Sequence, residues 1–354
     1  MEYLYDYLVF LARAVTVVVA VLLVISAIVS ASMRHQHADH GHLEITKLND
    51  RLNALKHAVQ ETLLDSASFK KERKREAKAA KRDKKIAKGK AVKGKSENLE
   101  GGDSGDKKRM FVLDFQGDLQ ASTVKKLSTE ITAVLTLAQA SDEVVVRVES
   151  PGGVVHGYGL AASQLDRIKK HGVPLVVVVD KVAASGGYLM AAVADKVIAA
   201  PFAIMGSIGV VAQIPNVHRL LKKHDVDVEV LTAGRYKRTL TVLGENTEEG
   251  RQKFIEELED VHSLFQEFVS SHRPQVDIET VATGETWYGQ RAIDVKLIDE
   301  ICTSDEYLTS ACETADVYAV NWVEHKKPLD RLIARVETSV QRLVARVVNW
   351  RAEL

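Results

Sequence analysis

Hydrophobic positions along the chain fall into three successive patterns. Leu8 to Ala31 is a run of 24 residues in which Arg13 is the only charge, and a helix of that length reaches about 36 Å, enough to cross a bilayer. The run predicts an uncleaved membrane helix, with Tyr3, Tyr5 and Tyr7 suited to the interfacial aromatic belt. A removable secretory leader is the rival. It is disfavoured because MEYLYDY carries Glu2 and Asp6 in place of basic residues and the apolar stretch is longer than a usual leader core. Within Leu43 to Leu64, Leu48, Leu52 and Leu55 recur at helical spacing, which predicts a helix, followed by a solvated charged linker with almost no apolar content. From Arg109 the pattern becomes MFVLDF, a helical face of Val124, Leu127, Ile131 and Val134, the strand VVVRVES, a glycine turn, a helix near Tyr158 to Lys170 and the strand PLVVVVD. That alternation predicts an α/β domain.

Val182 to Ala203 is apolar enough to imitate a second span, but Asp195, Lys196 and Pro201 interrupt it, so a buried helix followed by a strand is predicted. Asp227 to Thr232 reads as a strand. Glu248 to Ser271 reads as a helix that buries Phe254, Leu258, Val261, Phe265 and Phe268. In the last segment Leu332, Val336, Val340, Leu343 and Val347 form a stripe with Arg331, Arg335, Arg342 and Arg346 off it. Such a helix needs a partner surface on its own domain, a neighbouring copy or a membrane. The organisation predicted is an anchor at 8–31, a helical and basic stalk at 32–108, a globular domain at 109–325 and an amphipathic helix at 326–354.

Charge refines this picture. The 354 residues carry 48 basic and 48 acidic side chains, yet residues 70–95 hold 11 Lys and 3 Arg against Glu72, Glu76 and Asp83. No aromatics interleave with the basic residues, so a spacer or a contact with anionic lipid is favoured and nucleic acid is not expected as a partner. Cys302 and Cys312 lack metal or redox spacing, so neither a metal nor a cofactor is expected, and whether the two pair is left open.

Three glycine turns follow strands, at Ser150-Pro151-Gly152-Gly153, Ala184-Ser185-Gly186-Gly187 and Gly206-Ser207-Ile208-Gly209. Paired glycines let backbone amides approach an anion or an extended peptide. Ser185 stands where a strand meets a helix, a position that suits a nucleophile at the positive end of the helix dipole. The bland alternative is a simple N-cap. A serine nucleophile needs a base, but His156, His171, His218, His224, His262 and His272 all sit in helical or charged, surface-like contexts. A lysine can serve if burial keeps it neutral, which means bringing its pKa from about 10.4 toward 7. Lys237, in Ala233-Gly234-Arg235-Tyr236-Lys237-Arg238, follows a glycine turn, although a lysine between two arginines is usually surface charge.

Five motifs in order change those odds: SPGG at 150–153, ASGGYLMA at 184–191, GSIGV at 206–210, AGRYKRTL at 233–240 and TGETWYGQRA at 283–292. Together they resemble the bacterial signal peptide peptidase A family of membrane-bound serine proteases over Arg109 to about Thr314. The resemblance implies Ser185 as nucleophile, Lys237 as general base, the amides of Gly153 and Gly186 as oxyanion hole and Ser207 as the hydroxyl that orients the lysine. It also implies a ClpP/crotonase-like spiral of ββα units. Longer family members place serine and lysine in tandem halves, whereas in this chain they lie 52 positions apart in one domain. A homo-oligomeric ring is therefore implied, with the lysine drawn from the same or an adjacent subunit. Expected partners are hydrophobic peptide substrates, which Val154 and Val155 would pair with as a strand, and the lipid bilayer. The family's extracytoplasmic facing favours the periplasmic side of a bacterial inner membrane, while the basic stalk pulls toward the cytoplasm.

Two rivals remain. Gly157, Gly159 and Ala162 with Asp180 imitate a dinucleotide fingerprint, but the glycines come eight residues after their strand and SPGG already occupies the turn. A catalytically inactive crotonase-like membrane scaffold is the other, and it predicts a Ser185 unreactive toward acylating probes.

Overall fold

The computed structural model describes residues 41–63, 78 and 107–324. The predicted anchor, most of the basic run and the C-terminal amphipathic segment lie outside the described residues. The described residues fall into two compact units, residues 41–43 with 322–324 in one and the described part of 44–321 in the other. In the first, the described residues place Gly41 against the Trp322 ring. All that follows on the site concerns the second.

In chain order the elements are β1 (Gly41–Lys47), α1 (Leu48–Leu63), β2 (Arg109–Gln116), α2 (Val124–Leu135), β3 (Glu143–Glu149), α3 (Val155–Lys170), β4 (Leu175–Val179), β5 (Val182–Ala184) and α4 (Gly186–Ala192). They continue with β6 (Lys196–Ala199), β7 (Ile204–Gly206), α5 (His218–Lys223), α6 (Glu248–His272), α7 (Ile278–Val281), β8 (Thr286–Tyr288), α8 (Gly289–Ala292), β9 (Glu300–Ile301), α9 (Ser304–Thr314) and β10 (Asp316–Glu324). A larger sheet runs β1-β10-β2-β3-β4-β6-β9 and a smaller one β5-β7-β8. β10, β2, β3, β4, β6 and β9 pair in parallel along that order.

The strands at the centre are dominated by apolar residues because both faces are covered, β3 admitting a charge only at Arg147 and its glutamate ends. All five residues of β4 are buried, as is most of β3. After each of these strands the chain steps into the smaller sheet and then turns into a helix. β4 leads to β5 and α4; after β3, Ser150 bridges Ala183 of β5 before α3 begins. β6 leads likewise to β7, which pairs with β5 in parallel and β8 antiparallel. This repeated step brings the three glycine turns to the same side of the fold, since each turn ends its small-sheet segment.

Most predicted elements are present. Val124, Leu127, Ile131 and Val134 are all buried along α2. The apolar stretch Val182 to Ala203 forms β5, α4 and β6 inside the core, and among the described residues no helix is long and apolar enough to cross a membrane. Cys302 and Cys312 are free thiols.

Three segments differ from expectation. Asp227 to Thr232 forms no strand, and Val226, Val230 and Leu231 are exposed. Its alternating pattern finds no neighbouring strand among the described residues, and an unpaired strand gains nothing from alternation. β1, within the segment read as stalk, adds a strand beside β10. The following helix α1 is held by Asn49, whose amide donates to the Cys312 and Ala315 carbonyls while its oxygen accepts from the Val317 amide. The predicted buried face of α6 is only half-buried, Val269 alone being fully covered. At its C-terminal end Arg273 makes a two-pronged ion pair with Asp299, at 2.7 and 2.9 Å, and donates to the Lys296 carbonyl. Charge-assisted bonds of this kind fix orientation as well as adding energy, and they pin α6 over the sheet.

Candidate active site

Ser185 is reached from the short buried strand β5. Its amide donates to the Gly206 carbonyl at 2.8 Å, and its own carbonyl accepts from the Leu189 amide, closing the first turn of α4. Its backbone has φ 52° and ψ −120°, and its side chain makes no capping hydrogen bond. An N-cap normally takes extended backbone and bonds the first helical turn, so the capping explanation does not fit. A non-glycine residue in this region carries local strain of about 1–3 kcal/mol, kept only where the surroundings enforce it. That backbone lifts a half-buried hydroxyl to the floor of a cavity of about 1140 Å³.

The SPGG turn packs directly on this elbow. Gly152 has φ 91°, and a Cβ there would sit 2.7 Å from the Ser185 Cβ and 2.9 Å from the Gly186 nitrogen. Gly186 in turn lies against the Tyr158 ring, where any side chain would collide. Gly153 and Gly186 both line the cavity, and among the described residues neither amide donates a hydrogen bond. Backbone donors left unpaired beside a serine are what an oxyanion requires.

A buried relay fixes the turn. The Gly152 amide donates to the Ser150 Oγ at 3.1 Å, and the Tyr158 hydroxyl donates to the Asp118 carbonyl at 2.8 Å. The remaining 2.5 Å contact is therefore made by the Ser150 hydroxyl donating to the Tyr158 oxygen. Burial pushes the Tyr158 phenol above its ordinary value, which keeps its proton available for Asp118. Sequence reasoning passed over Tyr158; its place one helical turn into α3, eight residues after Ser150, was the available signal. Tyr158→Phe is expected to leave the Ser150 hydroxyl proton without an acceptor, lowering stability by about 1–3 kcal/mol and slowing acylation of Ser185, as denaturant melts and probe-labelling rates would show.

The other residues singled out fall in different places. Ser207 lines the cavity with φ 52°, its amide donating to the Glu285 carbonyl at 2.6 Å and its hydroxyl facing the Gly284 carbonyl at 3.5 Å. Val154 and Val155 line the cavity but are not a strand: Val154 is extended and Val155 begins α3. The helix begins at Val155, so the predicted strand of Val154 and Val155 is reduced to the single extended residue Val154. Lys237 is exposed, follows the Gly234 turn, and is not among the residues lining the cavity. Its neighbour Arg235 is engaged with Glu249 at 2.7 Å. In the single chain Ser185, Gly153, Gly186 and Ser207 line one cavity, and Lys237 is not among its lining residues.

The far wall of the cavity is α6, through Leu258, Val261, Phe265 and Phe268, with His262 among them. The amphipathic period of this helix was legible, but its apolar face covers the cavity in place of the core. As for the dinucleotide fingerprint, Gly157 and Gly159 lie within α3 and the Asp180 carboxylate accepts from the Ser304 amide and hydroxyl, so the ribose-binding acid is committed to the start of α9.

A strained serine at a strand-to-helix junction, beside unpaired amides and an apolar cavity, is the layout of an α/β serine hydrolase. Comparison with known proteins narrows this. Residues 2–165 match the model of the peptidase family S49 N-terminal region and residues 167–318 that of peptidase family S49. The "Probable protease SohB" of Haemophilus influenzae is 48% identical over 98% of this chain and 96% of its own length. That of Buchnera aphidicola subsp. Acyrthosiphon pisum is 50% identical over 70% of this chain and 73% of its own. Among solved structures, a mutant of the 1510-N membrane-bound stomatin-specific protease in complex with a substrate peptide aligns with a TM-score of 0.41 at 13% identity, covering 65% of this chain and 98% of that one. The chain belongs to peptidase family S49 and is a serine-type peptidase.

Proposed function

We propose that the protein is a membrane-anchored endopeptidase that cleaves hydrophobic peptides, such as released signal peptides or unfolded membrane-protein segments, with a Ser185–Lys237 dyad. The observation that carries the reading is the strained, uncapped Ser185 at the floor of an apolar cavity. The neutral lysine amine takes the Ser185 proton as Oγ attacks the peptide carbonyl. The amides of Gly153 and Gly186 hold the oxyanion, and the lysine ammonium returns the proton to the leaving amine. Water, deprotonated by the same amine, then hydrolyses the acyl-enzyme. Ser207, strained in the same way as Ser185, lines the cavity as the hydroxyl that would orient the lysine.

Because Lys237 is exposed and outside the cavity of its own chain, the base is assigned to Lys237 of the partner subunit. A head-to-tail contact repeated around a closed ring would supply one lysine to every serine. The repeated strand–strand–helix step supports a ClpP/crotonase-like spiral as the protomer. The apolar run 8–31 supports a single-pass anchor in a bacterial inner membrane, with the domain assigned to the periplasmic face. Substrate character follows from the cavity walls, which are mainly aliphatic and aromatic.

A fluorophosphonate probe tests this directly. Covalent labelling of the detergent-solubilised protein, mapped by peptide mass to Ser185, is expected. An unlabelled Ser185 would favour the inactive scaffold.

A further inference from the structure

We infer that Gly159 is a specificity-determining residue: by carrying no side chain it leaves room, on the α3 wall of the cavity, for one bulky apolar side chain of the substrate. The inference rests on the peptidase reading of Ser185 and goes beyond it in naming what sets the size of that side chain. Gly159 lies inside α3 and borders the cavity together with Val155 and Ser163, which stand one turn to either side on the same helical face. A glycine inside a helix needs a reason, because alanine would hold the helix better. Two ordinary reasons fail here. Gly159 is not among the positive-φ glycines, so no left-handed backbone calls for it. Close packing does not require it either, since a Cβ at this position would meet no atom within 4 Å. Two residues earlier Gly157 shows the contrast: a Cβ there would come within 3.0 Å of the Gln120 carbonyl oxygen and 3.2 Å of the Ala121 and Val154 side chains. What remains beside Gly159 is the open space of the cavity.

The chemistry of the group that enters follows from the same face of α3. Val155 is apolar and largely exposed. The Ser163 hydroxyl donates to the Gly159 carbonyl at 2.8 Å, so the one polar side chain on this face is already engaged. With no charge and no unmet hydrogen bond among these three residues, an aliphatic or aromatic side chain gains by leaving water there, whereas a charged one loses its hydration without compensation. Position along the substrate follows from Tyr158, the preceding residue, whose ring packs on Gly186 at the Ser185 elbow. The accepted side chain therefore belongs to a residue close to the scissile bond. Because the floor at Gly159 is helix backbone, its depth is fixed, and any side chain placed at 159 subtracts from it.

The test uses the full chain in detergent, unfolded casein with its cleavage sites mapped by mass spectrometry, and the fluorophosphonate label. Wild type is expected to cut where leucine, methionine or phenylalanine occupies one position flanking the bond. Gly159→Leu is expected to lower the use of those residues about tenfold relative to alanine and serine at that position, with Ser185 still labelled. Gly159→Ala is expected to shift the profile the same way by a smaller factor and, with glycine gone from the helix interior, to raise Tm by roughly 2–4 °C. Should Gly159→Leu fail to be labelled, Gly159→Ala decides in its place, on the relative use of phenylalanine against alanine. A cleavage profile unshifted from wild type overturns the inference, as does an alanine variant less stable than wild type, which would mean that the position is closed. A wild type neither labelled at Ser185 nor able to cleave sinks the peptidase reading and this inference with it. A labelled, cleaving wild type whose profile the substitutions do not move sinks this inference alone.

Discussion

Ser185→Gly yields a protein that no longer cleaves peptides yet unfolds at a higher temperature than Ser185→Ala. Both substitutions remove the hydroxyl proposed to attack the carbonyl, and loss of a serine nucleophile lowers kcat by about 10⁵-fold or more. They differ in the backbone. At φ 52° and ψ −120° an alanine keeps the strain of the native serine, whereas glycine adopts that conformation without it. Glycine also gives back some entropy to the unfolded chain, so the net gain over alanine is about 1 kcal/mol. For a domain of this size that is a rise of roughly 2–4 °C in Tm. Thermal melts of the two inactive proteins in the same detergent decide it. A glycine variant no more stable than the alanine variant would mean the elbow is relaxed, and residual cleavage in either would remove Ser185 from the chemistry.

The second large effect concerns the base. Lys237→Ala and Ser185→Ala are each expected to be inactive alone, and mixtures of the two subunits are expected to regain activity. If each site takes serine from one copy and lysine from the next around a ring, random mixing at equal amounts leaves about a quarter of the sites with both groups intact. If serine and lysine act within one chain, no mixture contains a complete site and activity stays at background. Co-expression of two differently tagged variants, purified through both tags and assayed on a peptide substrate, separates the outcomes. The exposure of Lys237 and its absence from the cavity lining favour recovery.

The parts of the fold that sequence made legible are those where a local period matches the burial achieved. Val124, Leu127, Ile131 and Val134 mark one face of a helix, and that face is in the core. LVVVV is an uninterrupted apolar run and VVVRVE is broken only by Arg147, which pairs with Asp114, and both are central parallel strands. The Ser185 elbow was legible because a strand, a serine and paired glycines define a turn by backbone chemistry alone. What escaped depends on the path of the chain in space. Val154 and Val155 have strand-like side chains, but the Pro151 turn sends the chain into α3, and β-propensity cannot override that geometry. Asp227 to Thr232 has the alternation of a strand and, among the described residues, no strand beside it. The pairing of Ser150 with Tyr158 arises only after α3 has closed over the turn. No pattern along the chain encodes it.

The Ser150–Tyr158–Asp118 relay leaves the turn at Gly152 with no spare bond to exchange. On the proposed reading, the donors beside Ser185 are set before any peptide arrives, and accommodation of one sequence or another would fall to the half-covered side chains of α6. Such a division would yield invariant bond-breaking behind a pliable sieve. Altering the helix would retune which peptides are accepted, whereas altering the turn would extinguish turnover for all of them alike.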